Sequence, residues 1–350
     1  MSQPYIIGET AFHHEGDKAF LKRMIEDIGA LKLSAVKFHL LLNPNQYFQK
    51  KHPLKTELEK FIFKPNEWSE LFDFAESKRL DIIALCNDVD SLLFILENHT
   101  DISGIEIHAT GINDFHLLEH ASKFKQTIYL GIGGCTLDEI QTAILFLRKN
   151  TNTRIVLMYG FQAYPTNISE INLARIEKLR LLFDVEIGYT DHTIYNDPLN
   201  EFNSVLGCCQ GIQIIEKHYS PTPGKERIDY HSAIGFDQMK KIKKLAEHAL
   251  LAYGNSDFKF SAAEKNYGNV GPVKKAIVAS VDIKKGETLT MDKLAFKRTE
   301  LESLIHQRDI VNLIGLVTAQ DIQEDELITL DMINFKFQKL DESNFTNLKK

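Results

Sequence analysis

The stretch Gln126–Asn150, QTIYLGIGGCTLDEIQTAILFLRKN, holds the unit from which the fold is read. Gln126–Gly133 is a short, almost continuously apolar run, as expected of a strand covered on both faces. After a turn, Leu137–Asn150 places apolar residues at amphipathic helical spacing. Working outward, the same strand-then-helix rhythm recurs along most of the chain. Strands are predicted at Tyr5–Thr10, Ala35–Leu40, Asp81–Asn87, Gly104–Thr110, Arg154–Gly160, Glu186–His192 and Ile212–Ser220. A second clear helix is Phe236–Leu251. Consecutive strand–helix units of this number predict a closed parallel (β/α)8 TIM barrel. An open doubly wound sheet would need a glycine-rich phosphate turn after an early strand, and the sequence has none.

The rhythm stops near Gly254, so residues 1–254 are expected to form the barrel. Residues 255–273 are polar and glycine-containing and read as a linker. Residues 274–337 follow a different pattern that repeats internally: DIKKGETLTMDKL from Asp282 and DIQEDELITLDMI from Asp321 share Asp, Ile, Glu and Asp at equal offsets. Two copies of one strand-and-turn unit predict a small pseudo-symmetric β-rich domain. A polar tail, 338–350, ends the chain.

The 350 residues suit a barrel of about 250 residues plus a small module. Hydrophobic residues make up 43% and charged residues 25%, and the formal net charge is −7 with no basic stripe, which argues against a nucleic-acid partner. No stretch approaches the roughly 20 apolar residues of a membrane span. The N-terminal residues do not read as a signal peptide. The four cysteines form no CxxC pair and read as reduced thiols, so a cytoplasmic protein is expected.

In such barrels the reacting groups project from the C-terminal ends of the strands. There the first strand offers Glu9, with His13 and His14 after it. The second offers Lys37 and His39, two apart and therefore on one face. The fourth offers Glu106 and His108 in the same relation. Tyr164-Pro165-Thr166 follows the sixth, Asp191-His192 ends the seventh, and Glu216-Lys217-His218 ends the eighth, with His231 in the loop beyond. A barrel with no chemistry to perform has no need of so many ionisable groups at one mouth.

These residues, in this order, resemble the sialic acid synthase family along nearly the whole chain. Gly8-Glu9-Thr10-Ala11, Val36-Lys37-Phe38-His39, Tyr164–Thr166, Gly188–Thr193 and Ile215–His218 each match a family segment. The C-terminal module resembles that family's antifreeze-like (SAF) domain, including Lys297-Arg298. The resemblance implies condensation of phosphoenolpyruvate with an N-acetylmannosamine-type sugar, giving a nine-carbon 2-keto acid. It implies a divalent metal, Mn2+ or Mg2+, held by His218 and His231. It assigns catalytic roles to Glu9, Lys37, Asp191 and His192, and substrate contacts to His39, His108, Tyr164, Lys217 and Arg298. Arg298 would reach a partner's sugar in a domain-swapped homodimer.

The chain also departs from the family pattern at its donor positions. Glu106 stands where the family has lysine, and Gly111 where it has a catalytic glutamate. Ala84–Asp88 and Gly131–Gly134 lack the family's hydroxyls, and Tyr230 stands at the place of the loop histidine. An alternative is therefore a relative that has lost the condensation and serves as a sugar-binding or regulatory protein, or performs different metal-dependent chemistry on the same barrel.

Overall fold

The computed structural model describes residues 3–163 and 165–334. The expected tail, the last three residues of the expected SAF module and Tyr164 lie outside the described residues. The chain divides into two compact units, Met1–Asn255 and Ser256–Lys350.

The first unit is a closed barrel of eight parallel strands in sequence order. They are β1 (Tyr5–Glu9), β2 (Ala35–Leu40), β3 (Asp81–Cys86), β4 (Gly104–Ile107), β5 (Thr127–Gly131), β6 (Ile155–Tyr159), β7 (Glu186–Asp191) and β8 (Ile214–His218). All eight predicted strands are present, several a residue or two shorter at their ends. β4 stops early because His108 turns back to accept a hydrogen bond from the Thr110 amide at 3.3 Å. The helix Leu137–Asn150 begins at a capping box, in which Thr136 and Glu139 satisfy each other's free amides.

Closure by β1 pairing with β8 sets the register of the mouth: Glu9 stands opposite both Lys37 and His218. Side chains then alternate. Ile7, Ala35, Ile83, Val156 and Ile214 point inward and form an apolar floor with Tyr129 and Met158. Two residues further along β1, β2 and β8 the inward positions are ionisable: Glu9, Lys37 and Glu216. The outward positions of the strands join the helices in the main hydrophobic core.

One glycine is indispensable to the mouth. Gly160, just after β6, has φ of +151°, and a Cβ placed there would lie 2.0 Å from the Thr190 carbonyl oxygen of the neighbouring strand.

In the second unit, β9 (Ala276–Ala279) pairs antiparallel with β10 (Leu294–Lys297). The repeat read from the sequence is visible as a reciprocal exchange. Ile283 and Ile322 trade two backbone hydrogen bonds of 2.8 Å. Asp321 accepts from the Lys285 amide and Asp282 from the Glu324 amide, each at 2.8 Å. The pairing Ile, Leu and Leu of one copy with Ile, Ile and Ile of the other (283/322, 289/328, 294/333) fills the core of this unit. The expected linker holds one element that its composition hid, a helix at Ala262–Tyr267. Ser261 and Glu264 cap it reciprocally.

Gly160→Ala is expected to destabilise the barrel by about 3 kcal/mol, because the clash is with backbone that cannot step aside. Urea unfolding measures this, and a loss under about 0.5 kcal/mol contradicts the packing described.

Candidate active site

Above the apolar floor lies a layer of four buried ionisable side chains. The Lys37 ammonium is 3.0 Å from Glu9, 3.1 Å from Glu106 and 2.8 Å from Glu216. All four side chains are at most 4% exposed, so water cannot screen them. One cation cannot balance three carboxylates, and at an effective dielectric of 20 a like-charged pair 4 Å apart costs about 4 kcal/mol. The protein relieves the excess in two ways. Burial and the charge of Glu9 push the Glu216 carboxyl well above the usual range, which favours its protonated form. Its Oε1 also accepts from the Thr190 hydroxyl at 3.1 Å. Glu9 is the opposite case. Burial opposes its charge, but His218 and Lys37 outweigh burial and hold it well below the usual range. Glu9 therefore stays ionised, with His39 Nε2 at 2.6 Å from one oxygen and His218 Nε2 at 2.8 Å from the other.

Burial disfavours the charged form of His218, yet the adjacent Glu9 raises its pKa above the ordinary value. His192 packs edge-on against His218, with ring centres 5.0 Å apart, and burial and His218 lower it to about 3. One ligand atom each from Glu9, His192 and His218 lie within 4.8 Å of one another. Each of these residues also carries a buried polar atom with no hydrogen-bond partner: Glu9 Oε2, His192 Nδ1 and His218 Nδ1. Glu9 Oε2 touches His218 Nε2 without hydrogen-bond geometry. Orphaned atoms in a cluster of two imidazoles and one carboxylate fit a divalent cation.

A cavity of about 490 Å³ opens over this layer, and His39 and His108 line it together with the residues above. Burial lowers His108 to about 4, leaving a neutral ring. Gly131, Gly133 and Gly134 line the same cavity, and Glu106 Oε1 would lie 3.4 Å from a Cβ at Gly131. The Ala109 backbone nitrogen would be closer still, at 3.0 Å, so backbone and the Glu106 carboxyl together crowd the end of β5.

Several residues selected from the sequence are not brought to this cavity. Asp191 and Lys217 point to the other side of their strands and meet each other at 2.6 Å, both essentially unexposed. Asp191 accepts further from Ser204 at 2.7 Å and Thr193 at 3.0 Å, and Lys217 donates to the Thr193 carbonyl. Burial lowers the Lys217 pKa while Lys217 holds Asp191 below its ordinary value; the short contact and full hydrogen bonding identify an ion pair. This pair locks β7, β8 and the helix Asn200–Val205 together. Strand alternation is the reason: Thr190, His192, Glu216 and His218 face inward, so Asp191 and Lys217 face outward. His231 is not one of the three clustered ligands; its ring lies against Tyr230, with centres 4.0 Å apart. Arg298 donates to the Pro272 carbonyl within the second unit. Conversely, Glu216, Thr190 and Glu106 belong to the site. The signal for Glu216 and Thr190 was available, two residues back from His218 and His192.

Because Lys217 and Asp191 are buried together, Lys217→Met should cost about 3–5 kcal/mol by leaving one charge alone. Divalent-metal binding should survive, since the pair lies outside the cavity; loss of metal binding in a folded variant contradicts the assignment. His13 and His14, packed beside the barrel mouth, are lowered by burial to about 4 and about 3. Unfolded histidine titrates near 6.5, so below that pH the unfolded chain binds more protons than the fold. The contribution of His13 and His14 to unfolding free energy should therefore decline from about pH 6.5 towards pH 4. A His14→Phe variant should flatten that slope, and an unchanged slope contradicts the account.

The chain is similar to several known proteins along most of its length. An N,N'-diacetyllegionaminic acid synthase of Campylobacter jejuni is 27% identical over 320 residues, covering 85% of this chain and 91% of the relative. A pseudaminic acid synthase of Helicobacter pylori is 26% identical over 320 residues, covering 86% and 90%. The crystal structure of an N-acetylneuraminic acid synthetase from Leptospira borgpetersenii superposes with a TM-score of 0.68 at 25% identity, covering 75% of this chain and 90% of that one. Residues 274–334 match the SAF domain. Residues 30–258, most of the barrel, match the NeuB family, and the chain belongs to that family.

Proposed function

We propose that this chain is a metal-dependent, carbon–carbon bond-forming enzyme of the sialic acid synthase type. It would join the enol carbon of a three-carbon donor to the aldehyde carbon of an N-acetylmannosamine-type amino sugar, yielding a nine-carbon 2-keto acid. The observation that carries the reading is the cluster of Glu9, His192 and His218 at the mouth of the barrel, beside buried acid–base groups. These three residues would hold Mn2+ or Mg2+, which supplies Lewis-acid polarisation of a carbonyl oxygen. The chain's own residues supply the rest. Lys37 and the ionised Glu9 set the position of groups entering the cavity. Glu216, whose carboxyl is pushed towards its protonated form and accepts from the Thr190 hydroxyl, would be the proton donor within the layer. His39 and His108 are at hand for hydrogen bonds to sugar hydroxyls.

Phosphoenolpyruvate is the donor that the family resemblance implies. The three carboxylates around Lys37 favour a second reading of the donor side, in which the barrel keeps its metal site but no longer takes a phosphorylated enol. Cytoplasmic location, and a domain-swapped homodimer in which Arg298 of one subunit reads the sugar of the other, complete the proposal.

Two experiments check it. Calorimetry should find one divalent-metal site per chain, weakened at least about tenfold by His192→Ala or His218→Ala and unaffected by His231→Ala; dependence on His231 instead contradicts the cluster. The full-length protein with manganese, a three-carbon donor and a panel of N-acetylated amino sugars should form a nine-carbon 2-keto acid detectable by mass spectrometry. Glu9→Gln should lower that rate at least about 100-fold. No product with any donor across the panel contradicts the function.

A further inference from the structure

His108 follows β4 and caps the turn Ala109–Gly111 with one ring nitrogen, leaving the other for the cavity. The Thr110 amide donates to His108 Nδ1 at 3.3 Å, which requires that Nδ1 carry no hydrogen. The Thr110 hydroxyl lies 2.9 Å from the same nitrogen, and because Nδ1 accepts, the hydroxyl donates to it too. Thr110 Oγ1 is then left to accept from the Tyr47 hydroxyl, 3.2 Å away. The hydrogen bonds therefore run one way, from Tyr47 through Thr110 to His108. A neutral ring with a lone pair on Nδ1 carries its hydrogen on Nε2. Burial favours the same neutral ring. Nε2 makes no hydrogen bond to a described residue, and unlike His192 and His218 this ring leaves no orphaned atom sealed from water. His108 stands beside His39, with ring centres 6.4 Å apart, and His39 contacts Glu9 of the ligand cluster. A substrate held at that cluster and extending over His39 meets Nε2.

We infer that His108 presents Nε2–H to a substrate oxygen that can only accept, of the carboxylate, phosphate or carbonyl class, and that Thr110 and Tyr47 are positioning residues that fix this tautomer. The contact with substrate rests on the condensing role proposed above; the tautomer does not. A neutral imidazole N–H gives up its proton far less readily than an imidazolium. It therefore donates without transferring, and suits an oxygen that bears or gathers negative charge. His108 and Thr110 lie between Glu106 and Gly111, in a segment where this chain departs from the family pattern.

Long-range 1H–15N NMR of the full-length protein reads the tautomer without turnover. His108 should carry its hydrogen on Nε2. That population should fall in Thr110→Val, fall less in Tyr47→Phe, and return in Thr110→Ser. Hydrogen on Nδ1 in the wild-type protein overturns the assignment, and an unchanged population in Thr110→Val overturns the positioning role. Calorimetry with manganese then measures phosphoenolpyruvate and N-acetylmannosamine separately. His108→Asn keeps a cap at the place of Nδ1 and loses the cavity donor, whereas His108→Gln sets an amide N–H near Nε2. His108→Asn should weaken one of the two ligands at least about tenfold, and His108→Gln less than about threefold. The ligand that weakens is the one that owns the oxygen. Wild-type affinity for both ligands in His108→Asn overturns the contact and leaves His108 a cap alone. A wild-type protein that binds neither ligand overturns the contact together with the condensing role. Binding as expected, with no product from the pair, contradicts the condensing role and leaves the assignment of His108 standing.

Discussion

The Lys37 ammonium, enclosed by Glu9, Glu106 and Glu216, is the constraint on which the rest of the site depends. Four ionisable side chains in a barrel lumen are costly to desolvate, and their mutual contacts offset part of that cost. The partners come from four different strands, so the layer also ties β1, β2, β4 and β8 together across the lumen. An apolar floor below and histidines above confine it to one level. The consequence for chemistry is a division of labour among like residues. Glu9 is held ionised by His218, Lys37 and His39, while burial and the charge of Glu9 push Glu216, on the same lysine, towards its neutral form. Two carboxyl groups whose surroundings push them apart are what an acid–base site requires.

The same strands build a second ionic centre on their other face. Asp191 and Lys217 each alternate with a lumen residue, and their contact braces β7 and β8 against the helix Asn200–Val205. Linear motifs here therefore mix two roles. Within Ile215–His218, Glu216 and His218 serve the cavity and Lys217 serves the scaffold. Within Gly188–Thr193, Thr190 and His192 serve the cavity and Asp191 the scaffold. A substitution in either motif will read as a loss of activity, and only stability measurements tell which role was removed.

The fold was legible because buried parallel strands write themselves as short apolar runs and the helices between them write a 3.6-residue period. The helix Leu137–Asn150 has the expected bounds, and the reciprocal Asp282 and Asp321 contacts are the repeat made physical. The helix Ala262–Tyr267 was missed because composition was weighed above the Ser261–Glu264 capping box. The site was legible in part. Glu9, Lys37, His39, His108, His192 and His218 converge as their strand-end positions required. Asp191 and Lys217 were assigned by motif, where the two-residue period should have ruled. His231 sits in a loop, whose path has no period to read. The partnership of Glu106 with Lys37 depends on a contact across the barrel, between residues 69 positions apart in the chain; no local pattern announces it.

The central claim is that the layer is balanced by a proton held on Glu216. Infrared spectroscopy of the protein in D2O at neutral pH measures this directly, through the carbonyl stretch of a protonated carboxyl group. The account predicts such a band in the wild-type protein and its disappearance in Glu216→Gln, with the carboxylate bands otherwise unchanged. A wild-type spectrum with carboxylate bands alone at neutral pH would contradict it.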